Sequence, residues 1–227
     1  MHNIIIPKYA NLTCSELGHD SPQHAGSKFY NYTPVQYHFN ANGFRTHDFS
    51  EIDSDCILVF GDSFTLGLGI NVENRFTDIL QQQSGVKVFN ISLNGASNDW
   101  IARRVIDVMH FMQPSAVVIH YTFSHRREHV DTTWFDDERT LCEPQHTDLE
   151  NFCNWQNNFD NIVSTVGSVP LIHSFIPNWH TTLINYEDIP GKVLPPVKLL
   201  DTARDGFHYG IKTHQLLANK LTSLLAV

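Results

Sequence analysis

Basic residues are scarce in this chain. Its 227 residues include 15 Lys and Arg against 24 Asp and Glu, which gives a formal net charge of −9. Proteins that bind nucleic acid need clustered Lys and Arg to contact phosphates, so this balance argues against a nucleic-acid partner. Gly67 and Gly69 are followed neither by the Lys-Ser/Thr of a phosphate-binding loop nor by the third glycine of a dinucleotide fingerprint. We therefore predict no nucleotide and no other cofactor.

Long apolar runs are also missing. No stretch reaches the roughly 20 apolar residues that span a bilayer. The first residues, Met1–Pro7, have neither the cationic region nor the apolar region of a signal peptide. We expect a cytoplasmic protein with no membrane partner. The four cysteines form no C-x-x-C pair, so we expect free thiols, with a Cys142–Cys153 bridge as the less favoured alternative.

The chain does have the apolar content of a folded α/β protein. Hydrophobic residues make up 41% of it, which is enough for one sizeable domain. Residues 1–36 are polar and show no sustained period, and Asn42-Gly43 between aromatic flanks predicts a small hairpin over residues 37–45. We therefore expect an irregular arm and hairpin over residues 1–50, packed on an α/β domain over residues 51–227.

Short apolar runs alternate with helical patterns through that domain. The predicted strands cover residues 56–60, 86–91, 116–121, 169–175 and 197–201. Segments with apolar residues at helical spacing lie between them, and an amphipathic helix around residues 216–224 closes the chain. This alternation predicts a three-layer α/β/α sandwich with a mostly parallel sheet of about five strands.

Ser63 stands just after the first of these apolar runs, behind Gly61 and Asp62. Ligands of open α/β sheets bind at the carboxyl ends of the strands, so a serine placed there can act as a nucleophile. Near the carboxyl end of the chain, Asp205 precedes His208 by three residues across a glycine. Such a carboxylate can hold the imidazole Nδ1–H and leave Nε2 free to take a serine proton. An isolated pair of this kind is usually a turn, but together with Ser63 it predicts a triad.

These residues occur in blocks, and at this point the chain resembles the SGNH (GDSL) hydrolases. Gly61-Asp62-Ser63 matches the first block of that family, Gly95 the glycine of the second, and Asp205-x-x-His208 the last. The resemblance implies a flavodoxin-like sheet and a metal-independent serine esterase acting on small acyl esters, with an acetylated carbohydrate as one candidate substrate. It also implies an oxyanion hole formed by the N–H groups of Ser63 and Gly95.

The third block of the family departs from its usual pattern. Where the family supplies an oxyanion-hole asparagine after the third strand, this chain has Ser124. A hydroxyl is a shorter donor than an amide, so either Ser124 substitutes for the asparagine, Asn94 or Asn98 supplies the donor, or the site is weak. The candidate substrate-binding residues are Asp62, Asn94, Asn98 and Arg126.

Other functions stay open. The acyl-enzyme can pass its acyl group to water or to another hydroxyl, so an acyltransferase is an alternative to a hydrolase. Ser124 also motivates a catalytically silent glycan-binding module. His125 and His129 fit the H-x-x-E-H pattern of a zinc hydrolase if the segment is helical, but a chain with 14 histidines produces such spacings by chance. The sequence predicts no particular oligomeric state.

Overall fold

The computed structural model describes residues 4–25, 30–51, 55–128, 140–142, 146–177 and 183–225. The strands are β1 Thr13–Cys14, β2 Tyr37–His38, β3 Cys56–Gly61, β4 Lys87–Ser92, β5 Ala116–Tyr121, β6 Arg126–Glu128, β7 Thr140–Cys142, β8 Leu171–Phe175 and β9 Lys192–Leu194. The α-helices are α1 Pro22–Ala25, α2 Ser63–Leu66, α3 Phe76–Ser84, α4 Asn98–Met109, α5 Asp148–Val166 and α6 Ile211–Leu225. Short 3₁₀ turns lie at Pro7–Tyr9, Phe49–Glu51, Val72–Asn74 and Tyr186–Asp188.

The central sheet has five parallel strands in the order β4-β3-β5-β8-β9. Counted along the chain, these strands are arranged 2-1-3-4-5, which is the flavodoxin-like order. The connection after β3 leads to its neighbour on one side and the connection after β5 leads to the other side, so a crevice opens between the carboxyl ends of β3 and β5. This arrangement confirms the predicted mostly parallel, flavodoxin-like sheet.

Two pairs of helices cover the sheet. Helix α3 packs against α6, and α4 packs against α5. Every residue of β3 and of β5 is buried, as expected for parallel strands that lie between two helical layers. Ser97 caps α4 by accepting the N–H of Trp100, and Thr147 and Glu150 form a reciprocal capping box at the start of α5. The predicted α/β/α sandwich is confirmed.

The fifth strand lies earlier in the chain than predicted. We expected it over residues 197–201, but β9 is Lys192–Leu194, and the prolines that follow it end the pairing. The predicted segment caps α6 instead: the Asp201 carboxylate accepts the N–H groups of Lys212 and Thr213 at 3.0 and 2.9 Å. The segment therefore makes hydrogen bonds with the start of α6 instead of pairing with the sheet.

The predicted hairpin over residues 37–45 is wrong. Strand β2 pairs antiparallel with β1, which lies 24 residues earlier. The turn at Gly43 does form, with φ of +83°, but the Asn40 side chain closes it by accepting the N–H groups of Asn42 and Phe44. Apolar residues from both sides of the predicted boundary at residue 50 belong to one core cluster, and that division of the chain stays a prediction.

The structure describes the thiols of three of the four cysteines. Cys14, Cys56 and Cys153 carry free thiols, so the alternative bridge between Cys142 and Cys153 does not form. Among the described helices, none has both the length and the apolar character that crossing a membrane requires.

Candidate active site

Ser63 begins a one-turn helix at the carboxyl end of β3. The preceding Asp62 caps this helix, because its Oδ1 accepts the N–H of Phe64 at 2.9 Å. Gly61 allows the tight exit from the strand, since a Cβ there would lie 2.0 Å from Oγ1 of Thr65. The fold thus holds Ser63 in the crevice between β3 and β5, where sequence analysis expects a ligand.

Asp205 and His208 lie in a tight loop before α6. Gly206, with φ of +75°, lets the chain turn, and Oδ1 of Asp205 accepts the N–H groups of Phe207 and His208, each at 3.0 Å. Oδ2 of Asp205 is 2.5 Å from Nδ1 of His208, and Nε2 of His208 is 2.8 Å from Oγ of Ser63. A continuous chain of hydrogen bonds therefore joins Asp205, His208 and Ser63, the three residues of the predicted triad.

The surroundings keep the Asp205 carboxylate ionised. Burial raises the pKa of Asp205, but the hydrogen bond and charge of His208, together with two backbone N–H groups, outweigh it and hold that pKa below its usual value. The ring of Phe64 packs 4.7 Å from the ring of His208 and limits its rotation. The imidazole is thus held with Nδ1 toward a carboxylate and Nε2 toward a hydroxyl.

Gly95 follows β4 and faces the same pocket as Ser63. Its φ of +79° favours glycine, and it lines the pocket together with Asn94. Within the described part of the chain, no acceptor takes the backbone N–H of Ser63 or of Gly95. Two N–H donors are therefore available at the edge of the pocket, as an oxyanion hole requires.

Asn98 and Ser124 are placed differently from Gly95. The Asn98 amide binds the backbone of Thr122 in both directions, donating to its carbonyl at 3.0 Å and accepting its N–H at 3.1 Å. Ser124 is 1% exposed, and its carbonyl accepts from Arg127 at 3.0 Å. Neither belongs to the described residues that line the pocket, so Asn98 positions the end of β5 rather than contacting a ligand.

Asp62 and Arg126 form an ion pair beside the nucleophile. Nη1 of Arg126 donates to Oδ2 of Asp62 at 2.9 Å, and the Asp62 side chain is completely buried. Arg126 lines the pocket, whereas Asp62 lies behind it. Of this pair, the guanidinium is the group that can contact a substrate.

The pocket has a volume of about 490 Å³. Besides the residues already described, it is lined by His19, His24, Gly206 and Phe207. Sequence analysis missed His19 and His24, because the segment that carries them has no period and no motif. The 14 histidines of the chain were a general signal that further histidines could reach the pocket, and the position of Phe207 directly before His208 was a signal for Phe207.

The helix that the less favoured zinc-hydrolase alternative requires is not formed. Arg126–Glu128 is a strand that pairs with Thr140–Cys142, so His125 does not begin a helix that would place two histidines on one face. His129 lies outside the described residues. Among the residues that the structure describes, no group of three or more His, Cys, Asp or Glu side chains could hold a metal ion.

Solved structures share this fold. A G-D-S-L family lipolytic protein from Desulfitobacterium hafniense superposes with a TM-score of 0.52 at 16% identity, over 76% of this chain and 99% of the other. This chain therefore has the same fold as that G-D-S-L family lipolytic protein. Esterase EstA from Pseudoalteromonas sp. shares it at a TM-score of 0.51 and 15% identity, over 76% of this chain and 97% of EstA.

A third structure with the same fold is an acetyl xylan esterase, Est2A, from Butyrivibrio proteoclasticus. Its TM-score is 0.53 at 14% identity, and the match covers 77% of this chain and 64% of Est2A. No protein-family model and no curated protein sequence matches the chain. The structural likeness thus establishes a shared fold, and the chemistry must be argued from the site.

Proposed function

We propose that this protein is a serine ester hydrolase with Ser63 as nucleophile, His208 as general base and Asp205 as the carboxylate that orients it. The observation that carries the proposal is the hydrogen-bond chain from Asp205 through His208 to Ser63, at the switch point of an SGNH-type sheet. The 2.8 Å between Nε2 of His208 and Oγ of Ser63 lies within the range for proton transfer. The unpaired N–H groups of Ser63 and Gly95 support the same reaction.

In the proposed reaction, Oγ of Ser63 attacks the ester carbonyl carbon while its proton moves to Nε2 of His208. The carbonyl electron pair moves onto oxygen, where the N–H groups of Ser63 and Gly95 stabilise it. His208 then protonates the departing alkoxide, leaving an acyl-Ser63 intermediate. Water, deprotonated by His208, attacks this intermediate and releases the acid. Asp205 stays ionised throughout and stabilises the imidazolium.

The proposed substrate is a small acyl ester, with an acetylated carbohydrate as the leading candidate. The pocket volume of about 490 Å³ suits a short acyl chain with one ring of the alcohol. Phe207 is 55% exposed at the pocket and offers a flat apolar face to such a ring. The SGNH-fold neighbour Est2A is described as an acetyl xylan esterase, which supports the same substrate class.

The test compares the wild type with Ser63→Ala on p-nitrophenyl acetate. We expect the variant to lose about 10⁴-fold or more of kcat, because the covalent pathway is removed. Ser223→Ala, on the exposed end of α6, is the matched control and should keep full activity. A fluorophosphonate should label Ser63 in the wild type and in the control.

Retained activity in Ser63→Ala would contradict the proposal. A wild type that binds acetylated oligosaccharide without turnover would instead support the silent glycan-binding module. Formation of a new ester when a carbohydrate acceptor is added, at the expense of free acetate, would identify an acyltransferase. Each outcome is read from the same purified protein.

A further inference from the structure

Arg126 occupies a particular position among the residues around the oxyanion hole. Its Nη1 is 2.9 Å from Oδ2 of Asp62 and 3.4 Å from the carbonyl oxygen of Ala96. Asp62 directly precedes Ser63, and Ala96 directly follows Gly95. The guanidinium is therefore held between the immediate neighbours of the two residues whose N–H groups face the pocket.

The surroundings fix this guanidinium in one orientation. The Thr122 hydroxyl donates to Asp62 Oδ2 at 2.5 Å and accepts from Arg126 Nη1 at 3.0 Å. The guanidinium carbon also lies 4.8 Å from the ring centre of Phe123, so one face of the group is packed. Because Arg126 is only 14% exposed, a ligand meets a positioned donor rather than a mobile side chain.

Arg126 keeps donors free for a ligand. Within the described residues, all hydrogen bonds of its side chain are made by Nη1. The N–H bonds of Nε and Nη2 are left over, and the side chain lines the pocket beside Ser63 and Gly95. Ser124, which the sequence analysis placed at the asparagine position of the family, is buried and does not line it.

We propose that Arg126 is the third oxyanion donor, in place of the asparagine side chain of the SGNH pattern. This inference rests on the proposed esterase function. As Ser63 attacks, the C=O electron pair moves onto oxygen, and the guanidinium donates to that oxyanion without giving up its proton. A charged donor forms stronger hydrogen bonds to an anion than an amide does, so Arg126 makes Ser124 unnecessary. Asp62 is a positioning residue that holds the guanidinium.

The experiment measures kcat and KM separately for Arg126→Gln and Arg126→Lys on p-nitrophenyl acetate. Because the donor acts on the transition state, we expect Arg126→Gln to lower kcat by about 10²–10³ with KM for this neutral ester changed by less than about threefold. Added guanidinium chloride at low millimolar concentration should restore part of the lost rate. The kcat of Arg126→Lys should lie between those of the wild type and Arg126→Gln, because an ammonium carries the charge but lacks the planar set of N–H donors of a guanidinium.

A second variant separates catalysis from folding. Arg126→Gln leaves the buried Asp62 charge without its partner, which can destabilise the protein. Asp62→Asn combined with Arg126→Gln removes both charges and keeps the cap of α2, and it should show the same loss of kcat with near wild-type thermal unfolding. Unchanged kcat in both variants would overturn the inference, and so would a raised KM with unchanged kcat.

A binding measurement makes the result independent of turnover. Methylphosphonate, a tetrahedral anion, is titrated calorimetrically into Ser63→Ala and into Ser63→Ala with Arg126→Gln. We expect the second protein to bind it at least tenfold more weakly, and equal binding would overturn the inference. Absence of Ser63-dependent turnover in the wild type would count against the proposed function alone.

Discussion

The two sides of the pocket are built in different ways. One side, which we call the sheet wall, consists of Ser63, Gly95 and Arg126, and each of these follows a strand of the central sheet closely. The other side, the arm wall, consists of His19 and His24 from the N-terminal segment. Strands of the central sheet lead the backbone to each residue of the sheet wall, whereas a long-range network of side chains holds the arm wall in place.

A buried ion pair anchors the arm wall. Asp20 accepts from Nε and Nη2 of Arg204 at 2.7 and 2.6 Å, and both residues are buried. The Tyr37 hydroxyl donates to the same carboxylate and accepts the N–H of Gly69 at 2.7 Å. Arg204 directly precedes Asp205, so the anchor of the arm wall is adjacent in sequence to the proposed triad carboxylate. The position of the arm wall therefore depends on one long-range polar network.

After Ser63→Ala, the largest expected effect comes from Asp205→Asn, where the two walls meet. The amide cannot stabilise the imidazolium and favours the wrong tautomer of His208, so kcat on p-nitrophenyl acetate should fall by about 10³–10⁴. Steady-state kinetics measure this loss. Asp160→Asn, an exposed residue of α5 outside the pocket lining, is the control. A variant that keeps more than a tenth of kcat would remove Asp205 from the triad.

Asp20→Asn should break the arm wall. Arg204 would remain buried with its charge uncompensated, which destabilises the fold by about 3 kcal/mol. Urea unfolding measures this change, and limited proteolysis should cut earlier within residues 15–25. The exposed Glu16→Gln in the same segment should change stability by less than about 0.5 kcal/mol. Equal stabilities for the two variants would mean that the network does not anchor the segment.

Lowering the pH should destabilise the protein through two buried histidines of the central sheet. Burial lowers the pKa of His120 on β5 and of His173 on β8 to about 4, whereas both titrate near the ordinary value of 6.5 when unfolded. The unfolded chain therefore binds more protons between pH 6.5 and 4, so stability is complete above that window and is lost as pH falls through it. From pH 7 to 5 each histidine should contribute about 2 kcal/mol of loss.

Denaturant unfolding at both pH values measures this loss, with His173→Gln as the comparison variant. The variant should lose less stability on acidification than the wild type. Identical pH dependence in the two proteins would show that His173 does not contribute.

The smallest effect is expected in the arm wall itself. His19→Gln and His24→Gln keep polar side chains but alter contacts with the bound ester, so kcat/KM should change by less than about tenfold and mostly through KM. The exposed His38→Gln on β2 is the control. A loss in kcat as large as that expected for Arg126→Gln would mean that the arm wall takes part in the chemistry.

Much of the fold follows from local sequence. The strand at residues 116–121 is predicted with its observed bounds, and the strand at residues 56–60 is predicted to within one residue, because runs of apolar residues report burial directly. The misplaced fifth strand failed for a physical reason. Residues 197–201 have a strand-like pattern, yet the Thr213 hydroxyl of α6 accepts the backbone N–H groups of Leu200 and Asp201, and this segment does not join the described sheet.

By itself, the sequence determined the parallel sheet and the three residues of the proposed triad, because strand ends and short motifs are local features. Only the tertiary structure decided which side chains complete the pocket. Ser124 and Arg126 lie two positions apart, yet the Ser124 side chain is buried and Arg126 lines the pocket. A segment without a regular period does not indicate in advance which of the two residues reaches the pocket. His19 reaches the pocket through the ion pair of Asp20 with Arg204, 184 residues away, a contact that only the folded chain creates.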